Sequence, residues 1–390
     1  PKQETVDYFS NRNHGVIGDS AMVVSAHPEA SKVGMAILQQ GGNAVDAAIA
    51  VQFALAVVYP NAGNIGGGGF MVTRMKDGSS NALDFREKAP STASRDMFIN
   101  PANGEVNRKL IETSHLASGV PGSVAGMWEA HQKYGSMDWK KLLQPAIELA
   151  QKGFPITAHQ AEDFNQLQAE LKQLNKGKNY FIKSKWNAND TLIQTDLATT
   201  LIAIRDKGRD GFYTGTVAEK IAAEMQQHNG IISTDDLKNY QAVWREPIKG
   251  TYKNYTIISM PPPSSGGIAL MQLLNMMENY PLKKWGFHSV NSVSIMTEAE
   301  KRVYADRATW LGDPDFTKVP KNELISKSYS ASRMQNVDTN TVTPAAQIKA
   351  GTFSGYESEE TTHFSIVDKY GNAVSITTTL NDSYGSRIIV

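Results

Sequence analysis

An α+β domain is the fold class this sequence predicts. Short strand patterns lie near both ends of the chain, a long run of apolar residues at three-to-four spacing lies between them, and the last thirty residues carry a strong hairpin signal. In chain order, MVVS at 22–25 reads as a short strand. Pro28 sits at a favourable first helical position, and Glu29 suits the positive end of a helix dipole. A helix is therefore expected to about Gln40, where Gly41-Gly42 can cap it. A second helix is expected over 44–58, ending before Pro60. The glycine-dense GNIGGGGF enters a strand over 70–74, and the turn Lys76-Asp77-Gly78 leads to another over 82–85.

Helical periodicity follows over 124–134, 139–151, 159–174, 197–207 and 217–227. Residues 252–260 alternate like one strand, and PPPSSGG then breaks regular structure. Helices are expected again over 268–277 and 290–309. The chain after Pro314 reads as irregular and polar through Glu360. Thr362–Val367 alternates, Asp368-Lys369-Tyr370-Gly371-Asn372 makes a turn, and AVSITTTL is rich in β-branched residues, which together predict a hairpin. No linker divides the chain, so one layered domain is expected.

The 390 residues balance 39 basic against 39 acidic side chains, which argues against nucleic acid or an anionic membrane as the main partner. With no cysteine, disulfides and thiolate metal sites are excluded. The 44–58 stretch is interrupted by Asp46 and Gln52 and is too short to span a bilayer, so it reads as a buried helix. The opening PKQETVDYFSNRNHGV is polar, which leads to the expectation of a cytosolic chain or one whose leader has been removed.

The chemistry concentrates in GTFSGYESEETTHFSIVDKYGNAVSITTTLN, residues 351–381, where a polar stretch runs straight into a threonine pair opening the hairpin. Thr361 Oγ could attack the Glu360 carbonyl, and water could then release a new amino terminus. An α-amine has a reference pKa of roughly 7.7–8.0 and can serve as base to the hydroxyl on its own residue. A threonine pair at a strand start also has a plain explanation in β-propensity.

Read with GGNAVDAAIAVQFALAVVYPNAGNIGGGGFM, LDFREKAP, GVPGSVAGMWEAHQKYG, MPPPSSGGIALMQLLNMME and AEKRVYADRATWLGDPDF, this segment resembles the γ-glutamyltranspeptidase (glutathione hydrolase) family over nearly the whole chain. The resemblance implies an N-terminal-nucleophile hydrolase of four αββα layers. Residues 1–360 would be the large subunit of a precursor and 361–390 the start of the small one, in one composite domain whose sheet is completed by small-subunit sequence outside this chain. It implies cleavage between Glu360 and Thr361, Thr361 as nucleophile, Thr379 supporting its hydroxyl, Asn381 contacting the γ-glutamyl group and Arg86 binding the substrate α-carboxylate. Each of the last three residues also has an ordinary reading. Arg86 could pair with Glu87 or Asp84, Thr379 could be a plain strand threonine, and Asn381 could serve a turn.

The implied reaction is cleavage of the γ-amide of glutathione or a related γ-glutamyl compound through a γ-glutamyl ester on Thr361, with transfer to water or to an amino-acid or peptide amine. No metal or organic cofactor is called for. The partners implied are those substrates and the chain's own small subunit as a heterodimer after self-cleavage, with neither nucleic acid nor a membrane span, and the implied location is periplasmic or extracellular. A related acylase, a poly-γ-glutamate-cleaving enzyme and a non-catalytic homologue are the alternatives.

The family's oxyanion-hole glycines and α-amino-binding residues fall beyond Val390. A single lost oxyanion donor costs roughly a hundred- to a thousand-fold in rate. These 390 residues alone are therefore expected to be inactive or poorly folded, with open edges on the hairpin, and continuity across Glu360–Thr361 suggests an uncut precursor. Other features rank lower. GNIGGGGF lacks the lysine and hydroxyl of a phosphate loop and is expected to be a packing loop. His27, His115 and His363 have no metal-ligand spacing, and His363 reads as a strand residue beside the nucleophile. Glu359-Glu360 makes a poor acid/base pair. Trp128, Trp139 and Trp310 are read as core.

Overall fold

The computed structural model describes residues 17–175, 177, 179–338, 341–351 and 362–390. Its centre is the Ala44–Val58 helix, which is buried along its entire length. A helix apolar on all sides must be packed on all sides, and this one lies between the main sheet and the helices Pro28–Gln39, Ser123–Tyr134 and Trp139–Lys152. The two polar residues that interrupt it both have a task. Asp46 closes a capping box, accepting from Asn43 N at 2.9 Å while Asn43 Oδ1 accepts from Val45 and Asp46 N. Gln52 reaches Asn64 O at 3.1 Å and Thr378 Oγ1 at 3.2 Å. Among the described residues, no helix is long and apolar enough to cross a membrane.

The six-stranded sheet runs, edge to edge, Met22–Val24, Thr362–Val367, Ala373–Thr379, Gly68–Arg74, Ser80–Asp84 and Val243–Arg245, with every neighbour antiparallel. The expectation of open hairpin edges therefore fails. Thr362–Val367 pairs with Met22–Val24, and Ala373–Thr379 pairs over seven residues with Gly68–Arg74. Residues roughly 300 to 345 positions away in sequence supply the two partners. The hairpin turn is also locked to the central helix, because buried Asp368 accepts from Ala44 N at 2.9 Å at that helix's N-terminus.

Strand alternation sets the two faces of the sheet apart. Phe364, Ile366, Val374, Ile376 and Thr378 are buried towards the helices, whereas His363, Ser365, Ser375 and Thr377 occupy the other face and are partly or fully exposed.

Helical segments expected between Ser123 and Gln227 form with ends within about two residues of the sequence reading, as boundaries usually do. Two readings need correction. The single strand expected over 252–260 is a separate hairpin, Ile248–Tyr252 with Tyr255–Ser259, because Lys253 at φ 51° and Asn254 turn the chain. The stretch after Pro314 is not wholly irregular, since it forms helices Lys321–Leu324 and Lys327–Met334. Their apolar residues Leu324 and Met334 complete two small satellite cores with the helices Gly266–Met277 and Val290–Trp310. Of the three tryptophans read as core, Trp139 is buried, while Trp128 and Trp310 are half-buried.

Buried Glu298 ties one satellite core to the chain beyond it. Its carboxylate accepts from Arg302 Nη1 at 2.6 Å, Lys301 Nζ at 2.8 Å and Thr343 N at 3.0 Å. Burial opposes ionisation, but these bonds outweigh it and bring the carboxyl down to about 2. A depressed carboxyl stabilises the fold above its unfolded value of 4.5 and loses that contribution as pH falls towards about 2. Glu298→Ala is expected to cost about 3 kcal/mol in urea unfolding at neutral pH. The gap to wild type should shrink as pH falls through that window, and a gap that stays constant would contradict this assignment.

Candidate functional site

The site is built where the end of the Ala373–Thr379 strand meets two loops. Gly67 and Gly68 let the backbones approach: a Cβ on Gly67 would stand 2.2 Å from Thr379 O, and one on Gly68 would stand 2.5 Å from Phe85 O. The glycine-dense loop is a packing loop, as the sequence reading expected. Within it, buried Asn64 donates from Nδ2 to Thr379 O at 2.9 Å and to Thr378 Oγ1 at 3.1 Å. Its Oδ1 accepts from Gly67 N at 2.9 Å and Ser123 Oγ at 2.6 Å. Thr378 Oγ1 in turn donates to Gly68 O at 3.1 Å. A buried amide satisfied on both ends fixes its neighbours, because breaking any one bond strands a desolvated polar group. The sequence reading gave Asn64 and Gln52 no role at this site.

Thr379 is buried and accepts from Asn381 N at 2.8 Å. Asn381 adopts φ 71°, a left-handed conformation that asparagine tolerates better than most residues. The turn aims Asn381 Oδ1 at Arg86, whose Nη2 donates to it at 2.7 Å. Arg86 follows buried Phe85, which exchanges backbone bonds with Gly69 beyond the regular strand. Its guanidinium donates from Nε to Glu87 Oε2 at 3.0 Å and lies over the Phe70 ring at 5.6 Å. Its backbone N donates to Asp84 Oδ1 at 3.1 Å. The ordinary and functional readings of Arg86 are thus compatible: it pairs with Glu87 and also bridges to Asn381. These bonds use two of the five guanidinium donors.

Three of the residues singled out in the sequence, Arg86, Thr379 and Asn381, are thereby brought into one hydrogen-bonded chain although nearly 300 residues separate the first from the others. Glu360 and Thr361 lie outside the described residues. Thr362, the next residue, pairs with Thr378 in the last described pair of the hairpin register. His363 bonds Thr377 Oγ1 at 2.8 Å and Ser375 Oγ at 3.0 Å along the polar face.

Arg86 also lines a cavity of about 260 Å³ at the seam between the sheet and the satellite helices. Its far wall includes Arg245, Ser265, Arg307 and Asp315. Arg245 is fully engaged, to Asp84 Oδ2 at 2.9 Å and in a fork to both Asp315 oxygens at 2.9 and 2.8 Å, which holds the Asp315 carboxyl below the ordinary carboxylate range. Arg307 Nε donates to Ser265 Oγ at 2.9 Å. These wall residues were not singled out, although PPPSSGG and DRATWLGDPDF contain Ser265, Arg307 and Asp315.

The same segments can be set against known proteins. The Gamma-glutamyltranspeptidase family profile matches residues 30–390. This chain belongs to that family. Within the family, it is 48% identical over 379 residues to the glutathione hydrolase proenzyme of Escherichia coli, a match covering 96% of this chain and 65% of that protein, so the chain spans about two thirds of that relative's length. Among solved structures, it superposes on Helicobacter pylori gamma-glutamyltranspeptidase with a TM-score of 0.84 at 44% identity, covering 90% of this chain and all of that one. A cephalosporin acylase from Bacillus halodurans gives a TM-score of 0.85 at 25% identity, covering 99% of this chain and 70% of that one. The chain thus shares its mixed α+β fold with both of these solved structures.

Proposed function

We propose that this chain is the greater part of a self-processing enzyme that hydrolyses glutathione and transfers γ-glutamyl groups, with Thr361 as nucleophile. The observation that carries the reading is the Arg86–Asn381–Thr379 chain at the open end of the hairpin, with Arg86 on a cavity rim. A planar cationic fork held by a carboxylate, an amide and an aromatic face is pre-organised for a carboxylate such as the α-carboxylate of a γ-glutamyl donor. The chain is anchored at Lys349 and Gly351: Gly351 N donates to Asp306 Oδ1 at 2.9 Å, Gly351 O accepts from Trp310 Nε1, and Lys349 O accepts from Arg333 Nη2 at 3.1 Å.

In this reading Thr361 Oγ adds to the Glu360 carbonyl and the peptide nitrogen leaves as the amine of Thr361. Water then hydrolyses the resulting ester, leaving a Glu360 carboxylate. Residues 1–360 and those from 361 onward become the large and small subunits of a heterodimer. The freed amine accepts the Oγ proton while Oγ attacks the donor γ-carbonyl, and the amine side of the donor leaves with a proton. Water or an acceptor amine then resolves the γ-glutamyl ester. The partly exposed polar face of the sheet suits the stacking of a second sheet, as a four-layer αββα architecture requires. A periplasmic or extracellular location belongs to the same proposal.

The test is amino-terminal sequencing and intact mass of the purified full-length protein, run beside glutathione hydrolysis in competition with a β-lactam acyl amide and polyglutamate. Expected are a new terminus at Thr361 and preference for glutathione. Preference for either competitor would move the assignment to an acylase or a polyglutamate-cleaving enzyme. Glutathione turnover with the Glu360–Thr361 bond intact would overturn the mechanism.

A further inference from the structure

The helix Gly215–Gln227 ends in a cluster that the proposed reaction does not use. Glu224 and His228 are four residues apart, so both project from one side of its last turn. Asn229 at φ 62° then reverses the chain, and Gly230 N donates back to Met225 O at 2.8 Å. A Cβ on Gly230 would come within 3.0 Å of His115 Cβ, so glycine at this position lets a remote segment touch the helix end. That segment is the 3-10 turn His115–Ala117.

Its histidine completes a trio. His115 Nε2 is 2.8 Å and His228 Nδ1 is 3.0 Å from the same oxygen, Glu224 Oε1, and the two imidazoles stack at 4.6 Å with their planes 19° apart. His115 is buried while Glu224 and His228 are half-buried, so the cluster has a dry side and an open side.

We propose that His115, Glu224 and His228 form a binding site for a divalent transition-metal ion of the zinc or copper class. Two imidazole nitrogens and one carboxylate oxygen are a borderline donor set that suits Zn²⁺ and Cu²⁺ and does not suit Ca²⁺ or Mg²⁺. The three ligand atoms all lie within 4.8 Å of one another. Tetrahedral ligands at zinc distances stand about 3.4 Å apart, so admitting an ion requires the two short contacts, 2.8 and 3.0 Å, to open by about half an ångström and the two nitrogens, within 4.8 Å of each other, to reach a similar spacing. The open side leaves room for a water as fourth ligand. His228 Nδ1 also lies 3.1 Å from Glu224 O, so when the ion enters it gives up its contacts to that carbonyl and to the carboxylate. The ion would clasp the helix end to the segment running to Val120, which exchanges two backbone bonds with Lys88 on the cavity wall.

The test is calorimetric titration of the chelator-treated full-length protein with Zn²⁺ alone at neutral pH, beside Cu²⁺ electron paramagnetic resonance. Expected are one ion per chain, at least about tenfold weaker binding in His228→Gln, and no change in His159→Gln, which removes a histidine from another helical pair, with Asp163. The Cu²⁺ spectrum of the wild type, which needs no variant to fold, should show coupling to two imidazole nitrogens. The absence of stoichiometric Zn²⁺ uptake, wild-type affinity in His228→Gln, equal weakening in His159→Gln, or a Cu²⁺ spectrum with fewer than two coupled nitrogens would each overturn the site.

Discussion

Thr361→Ala should leave the full-length protein as one uncut chain and abolish turnover. Both effects come from one atom. Without Oγ nothing attacks the Glu360 carbonyl, so the amine that would serve as base is never released. Removing a nucleophile of this type costs roughly 10⁴- to 10⁶-fold in rate. Thr361→Ser keeps a hydroxyl and should process, more slowly, because serine lacks the methyl group that restricts the side-chain rotamer of threonine. Intact mass, amino-terminal sequencing and release of cysteinylglycine from glutathione read the outcome. A single cooperative thermal transition in the alanine variant separates lost chemistry from lost folding. An alanine variant that still acquires a terminus at residue 361 would eliminate the assignment.

Arg86→Gln should mainly raise KM for glutathione. A charge-assisted fork to a carboxylate is worth about 3 kcal/mol, so kcat/KM should fall about a hundredfold while self-cleavage proceeds. The wider arrangement argues for a binding role. Arg245 is already engaged by Asp84 and Asp315, whereas Arg86 bonds one carboxylate and one amide. A donor analogue lacking the α-carboxylate separates binding from structural support, since wild type and variant should then differ little. If the variant loses as much with that analogue as with glutathione, Arg86 acts by holding Glu87 and Asn381 in place and not by binding the donor.

Much of the fold was legible because its signals are local. The mostly apolar 44–58 run and the strand patterns on either side of Asp368–Asn372 each lie within single elements. The two small helices after Pro314 escaped because four- and eight-residue segments carry too few turns for periodicity to show. Their stability comes from Leu324 and Met334 entering cores assembled by other helices. At the site, the motif resemblance supplied Arg86, Thr379 and Asn381. Asn64 went unnoticed because an asparagine in a glycine loop has an ordinary turn role until its distant partners are known.

The sequence by itself determined the main helices between residues 28 and 227, the 362–379 hairpin and the turn that joins its strands. Only the tertiary structure decided that the hairpin inserts between strands 22–24 and 68–74, that Arg86 meets Asn381, and that His115 meets Glu224 and His228. Hydrophobic period and capping chemistry act over a few residues and leave a local trace. Strand partnership and side-chain encounter depend on burying surfaces that are hundreds of residues apart, and no short window of sequence records which surfaces those are.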